Sequence, residues 1–241
     1  MVVKNAHMVT GSYISAWADA KNVLEVLDKQ DGRGYRRSYL SATVVNYVYE
    51  PNVLTYDLEQ AYAEVEGPGM SAINKIREGD YELSDAGRKA VVAFLDMHLD
   101  RGRYANQANI LAPAIVLKTD GEHENGELNL ADRILLSQSL PEVLRLSKLG
   151  IDEWPWQLWP TNGLVTGDGA VLLWCEPGSE EVSTISFPLS PTKLLVIGKD
   201  LQDGIWHNAK VTENSKRWII GERGKLNLKF ATADVPRNRT T

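Results

Sequence analysis

The apolar residues of this chain change their spacing twice, and that change constrains the fold more than any other feature. Residues 1–56 contain two β-compatible runs, 23–27 and 35–40, on either side of an Asp-Gly turn. This pattern is typical of a β-hairpin. Residues 57–150 carry apolar side chains at helical spacing, and residues 151–200 return to short strand-like runs. Helices between two strand-rich ends predict an α+β fold rather than a regular βαβ alternation.

The central stretch is predicted to be a helical bundle whose helices begin at recognisable caps. Asp57, with Gln60 three residues later, forms a variant of the capping box. Ser84 is a favourable N-cap for the next helix. Pro68 is expected to end the first helix or to restart it, because proline is tolerated in the first turn of a helix.

The second half of the chain is predicted from shorter signals. A polar loop over 119–127 precedes a helix over 128–149 that is interrupted at Pro141. Antiparallel strands follow, and residues 211–220 are predicted to form a closing helix. The expected order is therefore an N-terminal β-hairpin, a central helical bundle, C-terminal antiparallel strands and a closing helix.

Length and charge predict one domain with a basic tail. The 241 residues fit one large domain or two small ones, and the net charge is −6. From Lys216 onward, seven Lys and Arg residues face two acids, so the C-terminal end is basic. We predict a single domain over 1–220 and a tail over 221–241. This tail either contacts phosphate or is a solvated extension.

The sequence favours a cytoplasmic protein without a membrane partner. Cys175 is the only cysteine, so an internal disulfide is impossible and a reducing compartment is favoured. The first residues lack the apolar core of a signal peptide. The longest apolar runs, such as 194–197, are far shorter than the roughly 20 residues that span a membrane.

Strong catalytic motifs are absent from the sequence. It contains no phosphate-binding glycine loop, dinucleotide fingerprint, zinc-protease motif or paired-cysteine motif. The candidate site residues therefore come from weaker constellations of acids, histidines and one arginine.

Glu59 and Glu66 lie seven residues apart, on one helix face if the helix continues through Pro68. At ~1.5 Å of rise per residue their backbones are ~10 Å apart. One metal ion cannot readily take both, so a shared site would need one of them and a ligand from another element. The alternative is two acids on a solvated helix face.

His98 and Arg101 are neighbours on a helix surface, because they are three residues apart. His98 falls in an apolar stripe with Leu95, which predicts a buried and hydrogen-bonded histidine. Together with Arg101 it could instead hold an anion such as phosphate. Arg101 could equally bridge to Glu66 or Glu59 and connect the two helices.

Asp168 lies between Gly167 and Gly169, with apolar runs on both sides, which is a hairpin-turn signal. The functional alternative is a carboxylate presented as a metal ligand or general base. His7 is the only histidine in the first stretch. It is either a general acid or base, a ligand, or a surface residue.

Several of these residues belong to short segments that occur in a fixed order. The segments are His7-Met-Val-Thr-Gly-Ser-Tyr13, Asp28-Lys-Gln-Asp-Gly32, Tyr49 with Glu59 and Glu66, His98-Leu-Asp-Arg101, Gly167-Asp-Gly-Ala170, Pro188-Leu-Ser-Pro191 and Asn214. Over residues 5–220 this order resembles the domain-of-unknown-function family 4238. Thr10 replaces a proline of the family pattern and His98 a glutamine. Asp168 keeps only the acid of a Ser-Asp-x-Pro turn.

The resemblance implies a cellular setting more than a reaction. The family has no settled biochemical activity. Its members look like intracellular, mainly bacterial or prophage proteins, and some are associated with anti-phage defence. Five polar positions of this chain match those of the family: His7, Glu59, Glu66, Arg101 and Asp168.

Two functions from different classes follow, and the sequence leaves both open. In the first, the chain is a host–phage conflict protein that hydrolyses a phosphodiester or nucleotide. Carboxylates would bind Mg²⁺ or Mn²⁺ to activate water, Arg101 would stabilise developing phosphate charge, and His7 or Asp168 would transfer protons. In the second, the same residues are structural, and the chain is a non-catalytic binding or sensor domain that recognises a protein or nucleic acid.

Overall fold

The computed structural model describes most of the chain, and the predicted α+β class is confirmed. The described residues are 5–46, 52–54, 56–80, 82–140, 142–202 and 206–226. Helices are α1 (Gly11–Ile14), α2 (Leu58–Glu78), α3 (Asp85–Arg103), α4 (Leu130–Gln138) and α5 (His207–Asn214). The first strands are β1 (Asn5–His7), β2 (Val23–Asp28), β3 (Arg33–Ser38), β4 (Val44–Asn46), β5 (Ala112–Leu117) and β6 (His123–Leu128). The later strands are β7 (Trp156–Pro160), β8 (Thr166–Gly167), β9 (Leu172–Cys175), β10 (Val182–Ser190), β11 (Lys193–Gly198) and β12 (Trp218–Gly221).

Two four-stranded antiparallel sheets form the β part of the fold. One has the strand order β3-β2-β12-β8 and the other β7-β11-β10-β9. The predicted N-terminal hairpin is β2–β3, in which Leu27 faces Gly34. Gly32 in its turn has φ 61°, a conformation that favours glycine. Two smaller pairs, β1–β4 and β5–β6, complete the sheets of the described residues.

The last element of the described residues is a strand, although the sequence predicted a closing helix over 211–220. Helix α5 ends at Asn214, and β12 then pairs with β2, so that Trp218 faces Asp28. The prediction was wrong because a short apolar run such as Trp-Ile-Ile cannot be assigned to helix or strand by periodicity alone. The free edge of β2 decides the outcome, since it supplies the backbone partners of β12.

The sequence predicted that the first helix ends or restarts at Pro68. In the structure, helix α2 continues through this residue without interruption. A proline inside a helix costs about 3 kcal/mol, and packing against α3 offsets that cost. A Cβ atom added at Gly69 would lie 2.7 Å from the Cβ atom of Phe94, so the two helices are closely packed there. The uninterrupted helix places Glu59 and Glu66 on one face.

The predicted polar loop over 119–127 is instead largely part of the β5–β6 hairpin, in which Ala112 faces Leu128. The prediction failed because β6 is mostly polar and lacks the alternation of a half-buried strand. The helix predicted over 128–149 is the shorter α4, and Pro141 lies outside the described residues. So do Tyr49 and most of the predicted basic tail, residues 227–241.

An aromatic cluster fills the space between α1, α3 and β10. Tyr13 stacks on Phe187 with ring centroids 4.8 Å apart, and Phe94 and Trp17 contact Tyr13 edge-on. These four side chains are buried, and the Tyr13 hydroxyl hydrogen-bonds the Pro188 carbonyl at 2.6 Å. This cluster fixes the position of α3, the helix that carries His98 and Arg101.

Candidate functional site

Asp168 does not lie in a hairpin turn, contrary to the sequence prediction. It follows β8, which pairs with β12, whereas β9 pairs with β10 in the other sheet. Neither neighbouring glycine has a positive φ. A Cβ atom at Gly169 would lie 2.4 Å from the carbonyl carbon of Asn214, and one at Gly102 would lie 2.0 Å from the Asp168 carbonyl oxygen. The glycines allow close backbone packing around a turn in which the Ala170 N–H donates to the Gly167 carbonyl oxygen at 3.3 Å, but this turn does not join two paired strands.

The Asp168 carboxylate holds the segment between α5 and β12. It accepts hydrogen bonds from the backbone N–H groups of Lys216 at 2.6 Å, Arg217 at 3.2 Å and Trp218 at 2.5 Å. Burial raises the pKa of Asp168 to about 6, and these N–H donors act in the opposite direction. Both oxygens are engaged and the residue is 3% exposed. This geometry favours a structural role for Asp168 over a role as metal ligand or base.

His98 is the other member of this polar region, which we call the Asp168 cluster: His98, Gly167, Asp168 and the backbone of 216–218. The His98 Nε2 atom lies 2.9 Å from the Gly167 carbonyl oxygen, and the ring packs edge-on against Tyr13 and Phe187. Burial lowers the pKa of His98 to about 4, so the ring is uncharged at neutral pH. The geometry agrees with the core interpretation and not with an anion site shared with Arg101.

Arg101 lies one turn further along α3 and contacts α2 instead. Its Nη1 atom pairs with the Glu66 carboxylate and lies 3.1 Å from the Thr10 hydroxyl, which itself donates to Glu66 at 2.8 Å. The guanidinium also lies over the Tyr62 ring, 4.5 Å from the centroid. This is the helix-bridging alternative that the sequence left open. Thr10 and Tyr62 were not predicted, because no local pattern indicates a contact with Arg101.

Glu59 is in electrostatic range of the same ion pair. Burial raises the pKa of Glu59, the positive charge of Arg101 lowers it, and the negative charge of Glu66 raises it further. Its Oε2 atom is buried and has no hydrogen-bond partner among the described residues. A carboxylate in such a position retains its proton to a higher pH than an exposed one.

His7 approaches the ion pair from the end of β1. Burial lowers the pKa of His7 and the charge of Arg101 lowers it too, whereas backbone hydrogen bonding at Tyr39 and the charge of Glu66 raise it. Its Nε2 atom is buried and unpartnered among the described residues, and a Cβ atom at Gly11 would lie 3.0 Å from it. His7 is half-buried, so the prediction of a surface histidine does not describe it.

The structure thus divides the six predicted site residues into two groups. His7, Glu59, Glu66 and Arg101 come together with Thr10, and we call these five residues the Glu66 cluster. His98 and Asp168 belong to the Asp168 cluster. Within the described part of the chain, no group of three or more His, Cys, Asp or Glu side chains is arranged to hold a metal ion.

The comparisons with known proteins identified no related protein whose site could be compared with this geometry. Neither the protein-family models, nor the curated proteins, nor the solved structures gave a match to the chain. The resemblance to the domain-of-unknown-function family 4238 therefore stays a prediction. Across the described residues, no helix is both long and apolar enough to cross a membrane.

Proposed function

We propose that the Glu66 cluster is the catalytic centre of a hydrolase that works by general acid–base chemistry. One observation carries this proposal. Glu59 Oε2 and His7 Nε2 are buried polar atoms without a hydrogen-bond partner among the described residues, and both lie near the Glu66–Arg101 ion pair. A buried polar atom left unpaired costs about 1–3 kcal/mol. Two such atoms beside one ion pair suit a site that binds a polar substrate.

The environments of Glu59 and His7 assign opposite proton-transfer roles to them. The raised pKa of Glu59 favours its protonated form, which can donate a proton to a leaving group. The lowered pKa of His7 favours the neutral imidazole, whose Nε2 atom can accept a proton from water. Glu66, held by Arg101 and Thr10, would orient the water and stabilise the charged imidazolium that forms.

The substrate that we propose is a phosphodiester or a nucleotide. When Glu59 is protonated, the charges of Glu66 and Arg101 cancel, and the cluster does not repel a phosphate. Among the described residues no three His, Cys, Asp or Glu side chains are grouped to hold a metal ion, so the proposed steps are assigned to side chains alone. A cytoplasmic role in host–phage conflict is proposed from the family resemblance alone.

The test is hydrolysis of bis-p-nitrophenyl phosphate, nucleotides and oligonucleotides by the purified chain, with EDTA and separately with Mg²⁺ or Mn²⁺. Glu59→Gln should lower kcat/KM by about 100-fold or more, because general acid catalysis typically contributes that much. Glu64→Gln is the matched control, since Glu64 is exposed on the same helix. Equal activity of the two variants would contradict the proposal.

The alternative is a non-catalytic domain that binds a protein or nucleic acid. The observation that favours it is the pairing of the Asp168 carboxylate with three backbone N–H groups, which supports a structural role for one predicted acid. An oligonucleotide that binds the wild-type chain without being cleaved, and more weakly after Glu59→Gln, would support this alternative. No turnover of any substrate by the wild-type chain would also support it over the hydrolase.

A further inference from the structure

A cleft whose residues are distant in sequence from the Glu66 cluster has the composition of a ligand site. It lies where β7 ends, where β11 begins and where α5 starts, and its volume is about 480 Å³. Small-molecule sites typically measure roughly 300–1,000 Å³. The cleft shares no residue with the Glu66 cluster. We call it the Trp206 cleft, after the tryptophan at its rim.

The Trp206 cleft combines aromatic and aliphatic surfaces. Trp206 is 81% exposed, the largest exposed fraction among the exposed large apolar side chains of the described residues. Trp159 lines the same cleft, and its Nε1 atom donates to the Gln157 side chain at 2.8 Å, which fixes the indole ring. Leu164 and Leu194 are buried beneath. An exposed indole beside an apolar floor is typical of a surface that stacks on a ligand ring.

Two residues that line this cleft each carry a buried polar atom without a partner among the described residues. The Thr161 hydroxyl oxygen and the His207 Nδ1 atom have no hydrogen-bond partner among the described residues. His207 is 7% exposed, and its Nε2 atom lies 3.1 Å from the Ser186 hydroxyl, so only Nδ1 is left over. A ligand hydroxyl that reached either atom after a side-chain rotation would satisfy it, because a hydroxyl both donates and accepts hydrogen bonds.

The lack of charged side chains among the described lining residues limits the class of ligand that the cleft can bind. None of the described residues that line it is Asp, Glu, Lys or Arg. Burial lowers the pKa of His207 to about 4, so this residue is also uncharged at neutral pH. The amide side chains of Asn162 and Gln202 are exposed at the cleft. A phosphate or carboxylate would find no charged partner here, whereas neutral hydroxyl groups would find amides and a hydroxyl.

We infer that the Trp206 cleft binds a neutral saccharide, with the apolar face of a sugar ring stacked on Trp206 and its hydroxyl groups bonded to Thr161, His207 and the amides. The apolar face of a pyranose matches the indole, and its hydroxyl rim matches the polar groups of the cleft. A nucleoside also stacks on tryptophan, but cells hold nucleosides mainly as charged phosphates, for which the described residues of the cleft supply no cation.

The test is ligand-observed NMR and calorimetry on the full chain with glucose, galactose, mannose, N-acetylglucosamine and their disaccharides, and with adenosine and cytidine. We expect at least one saccharide to bind, and Trp206→Ala to weaken that binding by about tenfold or more, as lost tryptophan anchors do. Tyr56→Ala is the control, because Tyr56 is also exposed, at 57%, and does not line the cleft.

Thr161→Val separates binding from folding. It removes an unpaired buried hydroxyl without changing the shape of the side chain, so Tm should stay constant or rise while saccharide binding weakens. The inference is overturned if none of the sugars binds, if only the nucleosides bind, or if Trp206→Ala binds saccharide as tightly as Tyr56→Ala does.

Discussion

The Asp168 cluster and the Glu66 cluster contain the same chemical groups, a carboxylate and a histidine, and both contact α3. In the first, the Asp168 carboxylate has three backbone donors and His98 has a carbonyl partner. In the second, Glu59 and His7 each keep an unpartnered buried atom within the described part of the chain. Residue type and burial alone therefore do not identify a functional acid; the number of its hydrogen-bond partners separates the two clusters.

The largest expected effect is the loss of stability in Asp168→Ala. The substitution leaves the backbone N–H groups of 216–218 without their acceptor, which should cost about 3–5 kcal/mol. Tm should fall by about 6–20 °C in thermal denaturation. Asp120→Ala is the control, because Asp120 accepts one hydrogen bond in an exposed turn. A similar Tm for both variants would contradict the distinction drawn between the Asp168 cluster and the Glu66 cluster.

The second prediction is that burial of His98 makes the stability of the protein depend on pH under acidic conditions. Because burial lowers the pKa of His98 to about 4 from 6.5, the unfolded chain binds the extra proton between these values. The stability that His98 contributes is thus fully present above pH 6.5, declines as the pH falls, and is lost near pH 4. The full contribution is about 3 kcal/mol.

His98→Gln should keep a donor to the Gly167 carbonyl and lose this acid sensitivity. The measurement is urea denaturation of both proteins from pH 7 to pH 4, compared as a difference. The raised pKa of Asp168 acts in the opposite sense, since that group loses stability as the pH rises toward 6, and it cancels in the difference. Parallel stability curves would show that His98 is not buried in a neutral form.

The third prediction tests the proposed function of the Glu66 cluster through the pH dependence of hydrolysis. The active form needs neutral His7 and protonated Glu59, whose pKa values are lowered and raised respectively. We expect a bell-shaped profile of kcat/KM, with an acid limb set by His7, an alkaline limb set by Glu59 and about tenfold loss per pH unit beyond each limb. Glu59→Gln should remove the alkaline limb. An alkaline limb that persists in this variant would assign it to another group.

The smallest expected effect is a change in stability in the Glu66 cluster. Glu59→Gln removes a poorly solvated acid whose Oε2 atom has no hydrogen-bond partner among the described residues, so the free energy of unfolding should stay constant or rise by up to about 1 kcal/mol. Thr10→Val should instead cost about 1 kcal/mol, because the Thr10 hydroxyl bonds both Glu66 and Arg101. Chemical denaturation measures both. A clear loss of stability in Glu59→Gln would make Glu59 a structural residue.

The sequence by itself determined the features that depend on neighbouring residues. The Asp57 side chain accepts a hydrogen bond from the Gln60 N–H at 2.9 Å, and Ser84 caps α3, both within three residues along the chain. The β2–β3 hairpin and the burial of His98 follow equally from local spacing. Such features are predictable because their energies come from contacts across one turn of helix or one tight turn.

Only the tertiary structure decided the features whose partners are far away in sequence. The donors to Asp168 lie 48 to 50 residues later, and Arg101 reaches Glu66 35 residues earlier. Strand β12 forms because β2 offers it an edge, although the same residues were predicted to be helical. No local pattern states which distant backbone will satisfy a carboxylate, so the division into a saturated and an unsaturated cluster could emerge only once the chain had folded.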